Sequence, residues 1–131
     1  MIVVDASALL ELLLRTDRAA AIEAKALAPQ ERMHAPHLVD VEIAQALRRL
    51  VHLKETTRSR AQQALDDHAG LVIERHSHRE LMPRIWQLRQ SVTAYDGAYV
   101  ALAEALDAPL LTCDARLGGS HGHGARIEVI R

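Results

Sequence analysis

Four acidic side chains occupy positions that could form a ligand-binding or catalytic site. Two of them come just after predicted strands. Asp5 directly follows the apolar residues Ile2–Val4, and Asp114 comes just after the mainly apolar run Pro109–Thr112. The ligand site of an open parallel sheet lies beyond the carboxyl ends of its strands, so both carboxylates are expected at one crevice. The alternative explanation of each residue is a helix cap or a turn, because aspartate is favoured at both.

The other two acids, Glu42 and Asp96, are predicted on helices. Glu42 falls at the edge of the apolar face of a helix over Leu38–Leu53, with no cation three or four positions after it. Asp96 falls in the first turn of a helix that Thr93 opens, on the side that packs into the domain. A solvated boundary glutamate and a helix-capping aspartate are the alternatives, since the first turn of a helix favours negative charge.

Together, Asp5, Glu42, Asp96 and Asp114 indicate a metal site. Carboxylates around one crevice repel one another at neutral pH, and a hard divalent cation is the natural compensation because both lysines are remote in sequence. Oxygen ligands with no Cys or His beside them favour Mg²⁺ or Mn²⁺ over zinc. Such a metal activates water and neutralises charge on phosphate, so the site predicts phosphodiester hydrolysis.

The elements that must position these side chains alternate between strand and helix. Apolar runs predict five strands, over Ile2–Val4, Arg32–Ala35, Leu71–Ile73, Pro109–Thr112 and Arg126–Ile130. Periodicity and capping predict six helices, over Ala6–Leu14, Arg18–Ala28, Leu38–Leu53, Thr57–Ala69, Glu80–Gln90 and Thr93–Asp107. Because no tight hairpin signal joins the strands, we expect an α/β fold whose central, mainly parallel sheet of four to five short strands is flanked by helices. The stretch Gly118–Gly124 is predicted as the one flexible loop.

Composition limits what the chain can be. Its 131 residues, 49% of them hydrophobic, suffice for one domain over residues 1–131. A formal charge of −1 gives no global attraction to nucleic acid, and one Trp with two Tyr and no Phe provides no stacking platform for bases. Cys113 is the only cysteine, which excludes a disulfide within the chain. No basic leader or long apolar run is present, so a cytoplasmic location and no membrane contact are expected.

Four segments carry a resemblance to a known family. They are IVVDASALLELL at the start, VDVEIAQALRR in the middle, TAYDGAYVALAEALDAPLLTCDARL later, and the closing RIEVIR. The order and spacing of their acids resemble the PIN-domain ribonucleases and, among these, the VapC-type toxins of bacterial toxin-antitoxin pairs. The resemblance implies one PIN-like nuclease domain over 1–131.

By position, the resemblance also implies roles for particular residues. It assigns metal binding and catalysis to the four acids already named, and a supporting hydroxyl to Ser7. Thr112 matches a position that commonly bears a hydroxyl, and Arg116 is a candidate substrate contact. An N-cap is the alternative for Ser7, and a solvated loop arginine is the alternative for Arg116.

The function that follows from the resemblance is a metal-dependent endoribonuclease that hydrolyses RNA phosphodiester bonds with Mg²⁺, or Mn²⁺. The expected partners are RNA, a second copy in a homodimer, and a cognate antitoxin protein that plugs the crevice. DNA is expected only indirectly, through the antitoxin. The leucine-rich first helix is a predicted dimer surface, because Leu9, Leu10, Leu12, Leu13 and Leu14 cannot all face one core.

Two alternatives to this function remain open. A catalytically silent PIN-fold interaction module would be marked by the loss of an acid, and no acid is missing. Another Mg²⁺-dependent phosphohydrolase is the second alternative, although a haloacid-dehalogenase-like enzyme needs a carboxylate where Ser7 stands. The sequence departs from the family pattern at His121 and His123 in the glycine-rich loop, where a metal role competes with simple solvation. No role is expected for the other six histidines.

Overall fold

Five short strands form one parallel sheet in the computed structural model, which describes residues 1–131. The strands are β1 Ile2–Val4, β2 Met33–Pro36, β3 Ile73–His76, β4 Leu110–Thr112 and β5 Ile127–Val129. Their order across the sheet is β3-β2-β1-β4-β5, and every neighbouring pair is parallel. The carboxyl ends of all five strands therefore lie at one edge of the sheet.

Helices connect the strands and cover both faces of the sheet. They are α1 Ala6–Leu13, α2 Ala19–Ala26, α3 Leu38–His52, α4 Arg58–Gly70, α5 Met82–Gln87, α6 Ala94–Leu106 and α7 Ala115–Gly118, with a 3-10 turn at Arg79–Leu81. All three residues of β1 are buried, as a central parallel strand covered on both faces requires. The predicted α/β class, with a parallel sheet flanked by helices, is confirmed. None of the helices has the length and apolar character that a membrane span requires.

Helix starts follow from the side chains that cap them. Asp5 and Thr57 accept hydrogen bonds from backbone N–H groups in the first turns of α1 and α4, and Thr93 does the same for α6. Of the five leucines in and just after α1, Leu9 and Leu13 are buried in the core, and the other three are half-buried against it. Within the monomer, more of the leucine side chains of α1 therefore pack against the core than the sequence predicts.

The third strand lies later in the chain than predicted. The sequence pattern placed it at Leu71–Ile73, but Val72 is 89% exposed and the strand runs over Ile73–His76. Because β3 is an edge strand, only its inward-facing positions need apolar side chains, and polar residues occupy the others. The predicted helix Glu80–Gln90 was also too long, since it consists of the 3-10 turn and the short helix α5.

A network of polar side chains holds α3, α4 and β3 together. Arg75 donates two hydrogen bonds to Asp40, of 2.8 and 2.7 Å, and the ring of His68 lies 2.7 Å from the same carboxylate. The bonds from Arg75 hold the pKa of Asp40 at about 2. This network lies on α3 two residues before Glu42, so it fixes the helix that carries one of the predicted site residues.

Candidate functional site

Asp5 stands at the carboxyl end of the central strand and is only 5% exposed. One of its carboxylate oxygens accepts hydrogen bonds from the Ala8 N–H (3.0 Å) and the Ser7 hydroxyl (2.7 Å). The other accepts a short bond from the Thr112 hydroxyl. Burial raises the pKa of Asp5, and these three donors partly offset the rise. Asp5 therefore caps α1 and also lies near enough to Asp96 for that residue's charge to raise its pKa, so the two explanations of this residue hold together.

Two hydroxyl groups, which we call the hydroxyl bridge, connect the ends of β1 and β4. The oxygens of Ser7 and Thr112 lie 3.2 Å apart although 105 residues separate them in sequence. Each also accepts a backbone N–H from the chain after β4: Ser7 from Cys113 and Thr112 from Asp114, both at 3.0 Å. The bridge fixes Asp114 relative to Asp5.

Asp114 begins α7, where one carboxylate oxygen accepts the Arg116 N–H at 2.9 Å. The Arg116 guanidinium lies 3.5 Å from both oxygens of that carboxylate, and its side chain is 93% exposed. This is a loose ion pair at the mouth of the crevice. Arg116 is therefore free to reach a bound anion without breaking any buried contact.

Asp96 faces Asp114 across a cavity of about 340 Å³. It lies in the first turn of α6, where its backbone N–H bonds to the Thr93 hydroxyl at 3.1 Å. Burial raises the pKa of Asp96, and the negative charge of Asp114 raises it further. The cavity is lined by Ser91, Val92, Thr93, Asp96, Asp114, Arg116, Leu117, Gly119, Ser120 and His121.

Glu42 lies on α3 outside the lining of that cavity, and Tyr99 of α6 donates a hydrogen bond of 2.6 Å to its carboxylate. Burial raises the pKa of Glu42, and the charges of Asp96 and Asp5 add to the rise. Tyr99 is itself buried, and burial beside Glu42 raises the pKa of its phenol, so it remains a donor. Sequence reasoning missed this contact, although Tyr99 follows Asp96 by three residues, a spacing that puts both side chains on one side of α6.

We refer to the region around Asp5, Glu42, Asp96 and Asp114 as the acidic crevice. Each of the first three feels the charge of another member, but no three of the four have carboxylate oxygens within 4.8 Å of one another. An ion between them would therefore bind one or two carboxylates directly and keep water as its other ligands, which Mg²⁺ allows. The donor set, all carboxylate oxygen, also fits a hard divalent ion.

The histidines of the glycine-rich loop differ from each other in their surroundings. His121 lines the cavity beside Asp114. His123 instead stabilises the loop: its Nδ1 accepts the Ala125 N–H at 3.2 Å, so its Nε2 carries the proton and donates to Ser120 at 2.8 Å. With both ring nitrogens engaged, His123 is not available to a metal, and the loop is less free than its glycines predict.

Three residues for which the sequence predicted no role form a separate cluster on β2 and β3. His34 and His76 approach within 2.9 Å through ring nitrogens, and Glu74 completes a group that we call the histidine cluster. Burial lowers the pKa of His34. The signal in the sequence was the pair of segments MHAPH and ERHSH, but the pairing of strands that unites them was not visible there.

Comparison with known proteins agrees with this geometry. The family model described as "PIN domain" matches residues 2–118. "Ribonuclease VapC12" of Mycobacterium tuberculosis is 42% identical over an alignment of 139 positions, which covers 99% of each chain. "Ribonuclease VapC9" of the same organism is 45% identical over 130 residues, covering 99% of this chain and 98% of the relative.

Two solved structures share the fold. PAE2754 from Pyrobaculum aerophilum superposes with a TM-score of 0.72 at 25% identity, covering 98% of this chain and 83% of that one. VapBC2 from Rickettsia felis, bound to a DNA fragment from its promoter, gives a TM-score of 0.71 over 100% of both chains, and at 14% identity it supports the fold alone. From the matched domain and the identity over nearly the whole chain, the protein belongs to the PIN-domain family, as a VapC-type member.

Proposed function

We propose that this protein is an endoribonuclease, the toxin of a VapBC-like toxin-antitoxin pair, and that residues 1–131 form its nuclease domain. The observation that carries the proposal is the acidic crevice at the carboxyl edge of the sheet. Asp5, Glu42 and Asp96 are each held there with a raised pKa, because burial and a neighbouring acid oppose their ionisation. A fold tolerates such an arrangement where function requires it. The ribonuclease names of the relatives support RNA as substrate.

The proposed cofactor is Mg²⁺, with Mn²⁺ as a substitute, held by Asp5, Asp96, Asp114 and Glu42. When bound, a divalent ion of this kind lowers the pKa of water and neutralises charge on a phosphate. The chain's own residues orient the reaction. Asp5 is fixed by its three donors, and Glu42 is held toward the crevice by the Tyr99 hydroxyl.

Substrate binding is proposed for the rim of the crevice. Arg116 is exposed beside Asp114, and a guanidinium can contact a phosphate through two hydrogen bonds. Ser7 and Thr112 act indirectly, because the hydroxyl bridge holds Asp5 and Asp114 in place. With few aromatic side chains available for stacking, we expect recognition of RNA to depend on its shape and backbone.

The proposed partners are an antitoxin and a second copy of the chain. The ribonuclease VapC names of the relatives support an antitoxin as partner, and contact with DNA is proposed only through that antitoxin. For the homodimer, the large apolar side chains most open to solvent among α3, α5 and α6 are Val41 (68% exposed), Trp86 (65%) and Tyr95 (62%). Val41 and Tyr95 line one pocket between α3 and α6, so we propose this patch as a dimer surface in addition to α1, where Leu10, Leu12 and Leu14 remain half-buried. Cellular RNA as the substrate supports a cytoplasmic location.

A catalytically silent module is disfavoured by a specific observation. An interaction domain has no need for three acids, Asp5, Glu42 and Asp96, whose pKa values are each raised by burial and by a neighbouring acid. At Asp96 a neutral side chain would stabilise the fold.

The decisive experiment is an assay of the purified chain on total cellular RNA, with Mg²⁺ or with EDTA. We expect cleavage that requires the metal, and loss of cleavage in Asp96→Asn and Asp114→Asn, which preserve shape but remove charge. Asp66→Asn, at an exposed position on α4, is the matched control and should remain active. Cleavage that persists in EDTA, or in both variants of the crevice, would contradict the proposal.

A further inference from the structure

The histidine cluster brings three metal-ligating side chains together on one face of the sheet. The parallel register pairs His34 of β2 with Glu74 of β3, and His76 follows two residues later on the same face of β3. Nδ1 of His34 lies 2.9 Å from Nε2 of His76 and 3.6 Å from Oε2 of Glu74. The three ligand atoms all lie within 4.8 Å of one another, and the strand pairing that places them is rigid.

These separations match those between ligands of a tetrahedral metal. Two zinc–ligand bonds of about 2.0–2.1 Å at the tetrahedral angle place their ligand atoms about 3.3 Å apart. The two separations from His34 Nδ1, 2.9 and 3.6 Å, lie on either side of that value. The cluster can therefore accept an ion with small rotations of exposed side chains.

Packing alone does not explain why a histidine, and not an apolar residue, occupies the buried position 34. Its side chain is only 5% exposed, and its Nε2 has no hydrogen-bond partner in the protein. An apolar side chain would fill this position without leaving a polar atom unpaired. The imidazole is explained by its other nitrogen, Nδ1, which faces His76 and Glu74.

We propose that His34, Glu74 and His76 form a second metal site, for a zinc-class divalent ion, which ties the edge strand β3 to β2. Imidazole nitrogen is a ligand that zinc binds well and Mg²⁺ does not, so this site and the acidic crevice select different ions. Glu74 is 60% exposed, which leaves one side of the site open for water as a further ligand. The proposal does not depend on the proposed nuclease function.

Binding requires a change of tautomer. In the metal-free protein the two facing nitrogens are 2.9 Å apart, so one carries the proton and the other accepts it. An ion needs the lone pairs of both nitrogens. The ring that carries the proton between them must therefore move it to its far nitrogen, which keeps both rings neutral and releases no proton.

The test is a zinc titration of the purified chain against a chromophoric chelator, with excess Mg²⁺ present to occupy the acidic crevice. We expect one zinc per chain in the parent protein, and an affinity reduced at least about tenfold in Glu74→Gln and His76→Ala, since each removes a direct ligand. These side chains are exposed or half-buried, so both variants should fold. His78→Ala, an exposed histidine on the same segment, and His121→Ala, at the acidic crevice, are the controls.

Two further measurements make the result specific. Zinc should raise the melting temperature of the parent but not of His76→Ala, because only the native cluster binds the ion. X-ray absorption at the zinc edge should show scattering from imidazole rings. The proposal is overturned if the parent takes no zinc from the chelator, if both cluster variants bind like the parent, or if His121→Ala alone abolishes binding.

Discussion

The phenol of Tyr99 on α6 donates a hydrogen bond of 2.6 Å to Glu42 on α3, and so connects two of the helices that supply acids to the crevice. The bond favours the ionised form of Glu42, against the burial that raises its pKa. A single buried hydroxyl thus influences both where this carboxylate lies and how readily it is charged.

Replacing this hydroxyl should move the acidic limb of the activity profile. In Tyr99→Phe, the donor to ionised Glu42 is lost, so the pKa of Glu42 rises further. We expect the acidic limb of kcat/KM to shift to higher pH by about one pH unit, equivalent to one charge-assisted hydrogen bond of about 1.5 kcal/mol. The ¹³C signal of the Glu42 carboxyl should titrate with the same shift. Tyr95→Phe is the control, because it keeps the apolar ring of the proposed dimer surface and removes an exposed phenol that makes no hydrogen bond to Glu42, so both curves should be unchanged.

The second prediction concerns the metal-free protein. Asp96→Asn removes a charge that burial and Asp114 disfavour, so we expect it to stabilise the chain in EDTA at pH 7 by about 1 kcal/mol, after allowance for screening by solvent. A pKa raised in the folded state means that stability falls as pH rises from the ordinary value of 3.8 through the raised pKa. The advantage of the variant should therefore vanish below about pH 4.

Urea unfolding curves at several pH values measure this difference. If Asp96 only complemented the dipole of α6, the asparagine variant would be less stable by about 0.3–1 kcal/mol, so the sign of the change decides. Asp66→Asn serves again as the control. Asp5→Asn should not show the gain, because Asp5 accepts three hydrogen bonds that an amide cannot all replace.

The third prediction tests the hydroxyl bridge. Thr112→Val keeps the buried volume but removes the hydroxyl that donates to Asp5 and accepts from the Asp114 N–H. We expect the free energy of unfolding to fall by about 2 kcal/mol, the cost of leaving these groups unpaired, and kcat to fall with it. Thr112→Ser retains the hydroxyl and should keep most of the activity. A loss in Thr112→Ser with none in Thr112→Val would show that the methyl group, not the hydroxyl, matters.

The fourth prediction separates binding from folding at Arg116. Its ion pair with Asp114 is solvent-exposed, so Arg116→Ala should change the free energy of unfolding by less than about 0.5 kcal/mol. The KM for RNA should rise, and its dependence on salt should become weaker, because one cation near the phosphates is lost. Arg126→Ala is a close match, since Arg126 is also exposed and lies 3.3 Å from Asp107. An equal rise in KM in both variants would argue against a specific contact.

Local pattern in the sequence was sufficient for most of the fold. The apolar run Ile2–Val4, the stripe along Leu38–Leu53 and the cap at Thr93 each act within a few residues, so each predicted its element closely. The edge strand was misplaced because the apolar residues Leu71–Ile73 have the stronger signal, whereas pairing with β2 decides where the strand lies.

Contacts between distant residues account for what the sequence did not reveal about the site. The positions of the four acids could be predicted, since Asp5, Asp96 and Asp114 lie at strand or helix ends and Glu42 lies at the edge of the apolar face of its helix. The bond from Tyr99 to Glu42 and the histidine cluster depend instead on the crossing of helices and on strand register, which no local pattern specifies. For Ser7 and Thr112, the resemblance indicated supporting roles, but not that their side chains meet.

The position of β1 in the middle of the sheet also determines when, during synthesis, the acidic crevice can form. Strand β1 pairs with β4, which is made late. Ser7 can contact Thr112 only after the 105 residues that separate them in sequence have been synthesised. A nascent chain that has not yet released β4 from the ribosome lacks Thr112 and Asp114, so β1 is paired with β2 alone and the acidic crevice is incomplete. Under the proposed function, translation therefore delivers the toxin inactive, and an antitoxin already present has the interval before final folding in which to meet it.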